Sequence, residues 1–349
     1  MLAPLSRAAS VALALALAFA AGCSDQITQP PTRLAPSVAV QADKAPFKSV
    51  SALEPLPGSN GTFSAAYGNN DLGQIVGESS SSGVYHTAVV WDNSAIPQAL
   101  PGLPSTGTSS SAAAISNDGR VIAGTWSDAG TVYAVRWLKS NGEWLIDALP
   151  GGAGCFVGGM SSDGTAIVAT CGTTATVWLN GSKIPLGPGY ANSVNSNKQA
   201  VGTNATFDHA VIWNFSSLPA TVTDLGTLGG TYAVALNINN AGEVTGWSER
   251  ADHVSHAFLW SPRKSAMTDL GTAGITSGGY GINATGQVVG DMFPTTQHGG
   301  FFDHGKVVDL GFLPGYNAAI ARSLNNNGQA VGWSYTSSGQ TRATMWILK

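Results

Sequence analysis

The amino-acid sequence predicts an all-β protein, and three observations support this prediction. Charged residues make up 10% of the 349-residue chain, whereas soluble domains average about 25%. Glycine occurs 44 times, and glycine is a poor helix former. A tight-turn motif followed by a short apolar run recurs along the chain, which is typical of many short strands joined by turns.

Seven segments align on an Asn-x-x-Gly turn that precedes an apolar strand. The opening Asn or Ser is expected to accept hydrogen bonds from backbone N–H groups, and the closing Gly supplies a positive φ. The fourth turn ends in Lys198, which predicts a left-handed lysine at some cost. The turns recur about every 44 residues, with one shorter interval of about 34, near the period of four-stranded propeller blades. They span residues 70–73, 116–119, 161–164, 195–198, 239–242, 283–286 and 325–328.

Four strands can be assigned in the clearest unit, residues 222–267. Strand a is predicted at 233–237, strand b at 243–248, strand c at 256–260 and strand d at 267–270. Near the end of strand a every unit has a small or short residue, which suits strands crowded near a central axis. Strand c carries a recurrent tryptophan, interpreted as packing between neighbouring blades: Trp91, Trp137, Trp178, Trp213, Trp260 and Trp346.

The two ends of the repeat array complement each other. The last unit stops at its strand c, residues 341–349, and a spare strand lies at 49–56, before the first strand a. Pairing of these segments would complete the last blade and remove exposed sheet edges. The sequence therefore predicts a seven-bladed β-propeller over residues 49–349. An open β-solenoid, which needs no complementary ends, is the alternative.

The repeats resemble the HAF-repeat family of bacterial extracellular proteins. The resemblance covers about residues 49–349 and depends on the tripeptide His256-Ala257-Phe258 and the Asp-Leu-Gly-Thr-Leu-Gly-Gly run at 224–230. It implies export and a repeat fold, and it implies no particular activity.

The N-terminal residues 1–22 are interpreted as a signal peptide. The apolar run at 8–20 is shorter than the roughly 20 residues of a membrane span. It ends at Cys23 after small residues, which resembles a lipoprotein signal in which this cysteine is lipidated and anchors the protein to a membrane. Residues 23–48 would then form a flexible tether. The following Ser24 implies an outer-membrane lipoprotein; because Ala20 departs from the usual pattern, ordinary cleavage and secretion remain the alternative.

Two further cysteines, Cys155 and Cys171, flank the turn at 161–164. In an antiparallel hairpin centred on that turn the two residues face each other, and an exported protein meets oxidising conditions. The sequence predicts a disulfide between them.

We predict no catalytic residue, no metal and no cofactor. His209 and His256 occupy the same repeat position in different blades, too far apart to share a metal. The recurrent Asp224, Asp269 and Asp309 are interpreted as turn or strand-end residues, because catalytic carboxylates must converge. Basic residues do not cluster with aromatic ones, so a nucleic-acid partner is not expected.

Five aromatic residues form the candidate ligand-binding set: Phe63, Tyr190, Tyr232, Tyr280 and Tyr316. They end Gly/Pro-rich loops between strand d and the next strand a, where they would stack on a glycan or hold a protein ligand. Packing of the first turn of strand a is the alternative. The favoured function is a lipid-anchored cell-surface binding or scaffold module. An envelope enzyme acting on polysaccharide or peptide, and a purely structural envelope or adhesion protein, are the alternatives.

Overall fold

The computed structural model describes residues 47–57, 63–80, 85–103, 109–128 and 130–349. All regular elements in these ranges are β-strands, so the predicted all-β class is confirmed. The signal segment 1–22, Cys23 and the tether up to residue 46 lie outside the described residues. Among the described residues, no helix exists that could cross a membrane.

One eight-stranded sheet joins the two ends of the chain. Its strands are β1 (Phe47–Ala52), β2 (Phe63–Asn69), β3 (Ile75–Ser80), β4 (His86–Trp91), β5 (Gln98–Ala99), β26 (Ala318–Leu324), β27 (Gln329–Tyr335) and β28 (Thr341–Leu348). β1 runs antiparallel to β28, from Ser49 opposite Ile347 to Ala52 opposite Thr344. This register confirms the predicted pairing of the chain ends. β2 meets β28 in parallel at a single pair, Phe63 and Thr341.

Five further sheets each contain four consecutive strands, paired antiparallel in chain order. They are β6 to β9 (Ser110–Ile115, Val121–Asp128, Thr131–Ser140, Glu143–Ala153), β10 to β13 (Cys155–Met160, Ala166–Cys171, Thr174–Leu179, Ser182–Pro188), β14 to β17 (Tyr190–Val194, Gln199–Thr203, Ala210–Asn214, Thr221–Gly226), β18 to β21 (Gly229–Ile238, Val244–Arg250, Ser255–Ser261, Ala266–Asp269) and β22 to β25 (Ser277–Ile282, Val288–Met292, His298–Asp303, Lys306–Gly311). In the clearest unit, β18 to β21 correspond to the predicted strands a to d.

The first strands of successive units contact one another around a central axis. The contacts run from β2 through β6, β10, β14, β18 and β22 to β26, and from β26 back to β2. Crowding at this axis explains the small residues predicted there. A Cβ atom on Gly281 would lie 2.8 Å from the Cα atom of Ser323 on the next first strand.

Each first strand carries a β-bulge at the same place, just before this small residue. The bulged residues are Tyr67, Ala113, Gly158, Asn192, Leu236, Tyr280 and Arg322. A bulge leaves its residue out of the strand pairing and re-aims its side chain. The side chains at these positions are therefore not constrained by pairing with the neighbouring strand.

The recurrent tryptophans pack between sheets, as predicted. Trp91, Trp137 and Trp346 have no exposed surface, and Phe302 fills the corresponding place in the remaining unit. The indole Nε1 of Trp137 donates to the carbonyl oxygen of Pro101 at 2.8 Å, in the segment that precedes its own sheet. The buried clusters likewise combine residues of neighbouring sheets.

The predicted disulfide is present. Cys155 on β10 lies opposite Cys171 on β11, and their Cα atoms are 4.1 Å apart. The bridge joins the first two strands of the unit whose turn, residues 161–164, precedes the shortest interval of the repeat.

Lys198 adopts the predicted left-handed conformation, with φ at 60°. Its side chain is exposed, so Lys198→Gly removes the backbone strain and few contacts. We expect this substitution to raise the free energy of unfolding by about 1 kcal/mol, measured by urea denaturation. The equivalent Gly242, with φ at 78°, provides the matched control: Gly242→Ala should lower stability by a similar amount. Equal stability of Lys198→Gly and the wild type would contradict the strain argument.

Candidate functional site

The asparagine of each turn bonds both its own turn and the next one. In its own turn, Oδ1 of Asn239 accepts hydrogen bonds from the N–H groups of Ala241 and Glu243 at 3.0 and 2.9 Å, as predicted. Its Nδ2 donates to Glu243 at 2.9 Å and to the carbonyl oxygen of Asn283, in the next turn, at 3.0 Å. The same inter-turn bond starts from Asn70, Asn195 and Asn325. Sequence reasoning missed this second function, although the Gln or Glu four residues after the Asn is a visible signal for it.

The second residues of the turns form a hydrogen-bonded ring around one mouth of the central channel. The bonds join Asp71 to Asn117 (3.0 Å), Asn117 to Ser162 (2.8 Å), Ser162 to Ser196 (3.1 Å), Ser196 to Asn240 (3.0 Å), Ala284 to Asn326 (2.8 Å) and Asn326 to Asp71 (2.8 Å). The bond from Asn239 to Asn283 spans the remaining step. We call this set the turn ring. It places amide and hydroxyl groups at the mouth and returns from the last turn to the first.

A cavity of about 210 Å³ lies inside the turn ring, along the channel. Its lining comes from the first strands and their turns, and among its described residues Asp71 and Arg322 carry formal charge. Asp71 lies in the turn ring, where its carboxylate accepts hydrogen bonds from Asn117 and Asn326. Arg322 comes from a bulge deeper in the channel. The cavity is therefore polar, close to neutral and suited to a hydroxyl- or amide-rich ligand.

The bulged residues make the channel asymmetric. Tyr280, Arg322 and Tyr67 are large and occupy three successive first strands, whereas Ala113 and Gly158 are small and follow next around the axis. Because the bulge position is free of ladder constraints, the side chains there differ from unit to unit. This is the level of the channel at which the repeat symmetry is broken.

Two buried carboxylates support the two tyrosines. The Tyr67 hydroxyl donates to Glu78 at 2.8 Å, and the Tyr280 hydroxyl donates to Asp291 at 3.4 Å. Glu78 and Asp291 are 6% and 3% exposed and occupy the same position on β3 and β23. Burial, with a further contribution from the neighbouring carboxylate, raises the pKa of both tyrosines well above the usual value.

Asp291 is the carboxyl group whose protonation the fold changes most clearly. Burial raises the pKa of Asp291 to about 6, although hydrogen bonds from Gln297, at 2.5 Å, and from Tyr280 favour the charged form. The other end of the Gln297 amide accepts a hydrogen bond from Tyr335. Asp291 thus belongs to a buried polar network beside the channel that sequence reasoning did not identify, since its members lie on different strands.

The histidines of strand c bond the aspartates of strand d. The Nδ1 atoms lie 2.6 to 2.7 Å from the carboxylate oxygens in the pairs His209–Asp224, His256–Asp269 and His298–Asp309. Each carboxylate also accepts the N–H of the glycine two residues on, through its other oxygen in Asp224 and Asp309 and through the same oxygen in Asp269. The His-Ala-Phe and Asp-Leu-Gly motifs are therefore one structural unit, and the three aspartates lie within two residues of the ends of β17, β21 and β25. No set of three His, Cys, Asp or Glu side chains that could hold a metal occurs in the described part of the chain.

The five aromatic residues of the candidate binding set are all partly buried. Three pack on another aromatic ring: Phe63 on His86 at 4.4 Å, Tyr190 on Phe207 at 3.9 Å and Tyr232 on Trp247 at 5.4 Å between ring centroids. Tyr280 is bonded to Asp291, as described above. Tyr316 borders a shallow hollow that also includes Glu54 and Arg342. These contacts favour the packing alternative for the first three residues.

No protein-family model matches the chain, and no curated protein matches its sequence. Solved structures do match. The β-propeller domain of the Trilobed protease from Pyrococcus furiosus superposes with a TM-score of 0.57 at 10% identity, over 81% of this chain and 96% of that chain. A puromycin-hydrolyzing peptidase of Mycobacterium tuberculosis gives 0.53 at 14% identity, over 83% of this chain and 54% of that chain.

A study of two prolyl endopeptidases supplies a further match, with a TM-score of 0.54 at 13% identity, over 82% of this chain and 50% of that chain. The chain thus spans about half the length of these two peptidase structures. At such identities the likeness shows the fold alone. The fold is of the β-propeller type.

The raised pKa of Asp291 generates a prediction about pH. Between about pH 4 and pH 6 the folded protein retains a proton that the unfolded chain has lost, so the contribution of Asp291 to stability falls as the pH rises. Asp291→Asn should therefore raise the free energy of unfolding at pH 7, by up to about 3 kcal/mol, and change it little near pH 3.5. Denaturant titrations at both pH values test this. A stability difference that is the same at both would contradict it.

Proposed function

We propose that this chain is an exported, lipid-anchored, seven-bladed β-propeller that acts as a cell-surface binding or scaffold module and takes its ligand in the central channel. The observation that carries this proposal is the turn ring: amide and hydroxyl groups surround the mouth of a polar cavity on the axis. Such groups recognise a glycan or the backbone of a protein ligand by hydrogen bonds. The asymmetric bulged residues below the ring would provide specificity.

The count of seven blades is part of the proposal. The eight-stranded sheet consists of two four-stranded halves, β26 to β28 with β1, and β2 to β5, which meet at the single pair Phe63 and Thr341. Taking each half as a blade adds two to the five four-stranded sheets. The circular contacts of the first strands and the seven aligned turns support this count.

Export and anchoring are supported by the N-terminal sequence and by the disulfide. A structural disulfide suits an oxidising compartment outside the cytoplasm. The signal at residues 1–22 and the tether at 23–48 would leave the propeller attached to the outer membrane through a lipid on Cys23, with secretion as the alternative.

The anchor is tested by mass spectrometry of the mature N-terminus from a cell-envelope fraction. We expect the mature chain to begin at Cys23 and to carry the mass of attached acyl chains. An unmodified Cys23, or a mature chain that begins after it, would overturn the anchor. In that case the same experiment would support secretion.

Ligand binding in the channel is tested by filling the cavity. Ala113 is a partly exposed bulged residue of the cavity wall, so Ala113→Trp places a large ring in the channel without disturbing strand pairing. Thr221→Trp, on the exposed outer strand β17, is the control. On arrays of envelope glycans and peptides we expect the full-length wild type and Thr221→Trp to bind alike, and Ala113→Trp to lose at least about 90% of the signal.

Unchanged binding by Ala113→Trp would exclude the channel as the site. If Tyr232→Ala then abolished binding, the ligand would lie on the aromatic set at the opposite, loop-bearing face. This outcome would restore the site expected from the sequence.

Hydrolysis of polysaccharide or peptide is the second candidate function, and one observation favours it. A buried carboxyl group with a pKa of about 6, such as Asp291, is suited to donate a proton near neutral pH. Turnover of an array ligand that is abolished by Asp291→Asn, while binding persists, would establish the enzyme in place of the binding module.

A further inference from the structure

Arg322 is a cation in the central channel that pairs with none of the described carboxylates. It is partly buried, and among the described residues it takes part in none of the ion pairs. Its guanidinium lies 5.6 Å from the ring centroid of Tyr280, and Nη1 donates a long hydrogen bond of 3.4 Å to the carbonyl oxygen of Tyr280. By contrast, Arg136, which does not line the cavity, bonds the carboxylate of Asp147 through two nitrogens, at 2.9 and 2.7 Å.

The two carboxylates that bond the neighbouring tyrosines are already engaged. Glu78 accepts from Tyr67 and also meets His86, at 2.9 Å, and Asp291 accepts from Tyr280 and Gln297. Neither carboxylate forms an ion pair with Arg322 among the described contacts, and the Tyr280 ring, which bonds Asp291 through its hydroxyl, packs against the guanidinium. A guanidinium has five N–H donors, and withdrawing it from water without an anion is costly. Burial accordingly lowers the pKa of Arg322.

We propose that Arg322 anchors a carboxylate of the ligand that enters through the turn ring. This inference rests on the proposed function, because it assigns chemistry to the same channel. Arg322 lies on the cavity wall beside Tyr67, and its bulge position leaves the guanidinium out of the strand ladder. A carboxylate bound there would receive two parallel hydrogen bonds from the guanidinium fork.

The charge of the cavity favours a carboxylate over a phosphate. Arg322 is the one cation among the described lining residues, and the one described lining anion, Asp71, accepts hydrogen bonds from amides of the turn ring. The remaining polar lining is mainly Asn and Ser, which would bond the neutral part of the ligand. A dianionic phosphate would retain an unbalanced charge in the channel, close to Asp71. A sugar acid or another singly charged small molecule fits these conditions.

The experiment compares thermal unfolding of the full-length wild type, Arg322→Gln and Arg136→Gln, a control at an ion-paired arginine outside the cavity lining. The probes are acetate, its neutral isostere acetamide, and inorganic phosphate, at equal ionic strength. Without a carboxylate, Arg322→Gln should unfold at a higher temperature than the wild type, because an unpaired charge has been removed. Acetate should stabilise the wild type and Arg136→Gln in a concentration-dependent manner and leave Arg322→Gln unchanged.

Acetate affinity, measured by NMR titration, should fall at least about tenfold in Arg322→Gln. Arg322→Lys keeps the positive charge and loses the planar pair of donors, so its acetate affinity should lie between those of the wild type and Arg322→Gln. A purely structural Arg322 would instead make Arg322→Gln less stable at every acetate concentration, with an equal response to acetate in all variants; this result would overturn the inference. Stronger stabilisation by phosphate than by acetate would overturn the choice of carboxylate.

The array experiment separates this inference from the proposed function. Loss of the array ligand in Ala113→Trp together with full binding by Arg322→Gln would retain the channel site and refute the carboxylate anchor. Full binding of the array ligand by both variants would refute the channel site and the carboxylate anchor together.

Discussion

The hydrogen bond from the turn asparagine to the next turn is the interaction on which the ring of sheets depends. A buried primary amide must use both its donor and its acceptor, and Asn239 meets this requirement within its own turn, with Glu243 and with Asn283. An aspartate could cap the same turn but could not donate to the next one. The choice of asparagine thus links a local motif to the assembly of the sheets around the axis.

This constraint separates the positions that must repeat from those that are free to vary. The turn asparagines, the glycines near the axis and the interlocking tryptophans all serve contacts between neighbouring units, so they recur. Six of the seven bulged residues line the channel cavity, and the side chains at this level differ from unit to unit. Arg322, Tyr67 and Tyr280 stand at that level, and the polar network around Asp291 lies directly behind them. Residues specific to the function of this protein are therefore expected at the positions that differ from unit to unit.

The likeness to peptidase propeller domains does not supply that chemistry. It shows that the chain's β-sheets are arranged as in known propellers, at identities of 10–14%. The function has to be argued from the channel of this chain, where the amides and hydroxyls of the turn ring lead to the guanidinium of Arg322.

The sequence by itself determined the strand pattern, the turn chemistry, the pairing of the chain ends and the disulfide. All of these follow from local spacing: the asparagine caps residues two and four positions on, Lys198 must take the conformation of a glycine, and Cys155 and Cys171 are equidistant from one turn. The tertiary structure decided which side chains from distant parts of the sequence lie together.

Register shifts at the bulges, which no residue pattern announces, brought Tyr67 and Arg322 to the wall of the channel cavity. Three of the predicted aromatic contacts became internal packing, because each ring found an aromatic neighbour. The separation of Arg322 from every described carboxylate likewise depends on how the strands are arranged in space. Twenty charged side chains of the opposite sign occur in the sequence, and the fold places none of the described ones against its guanidinium.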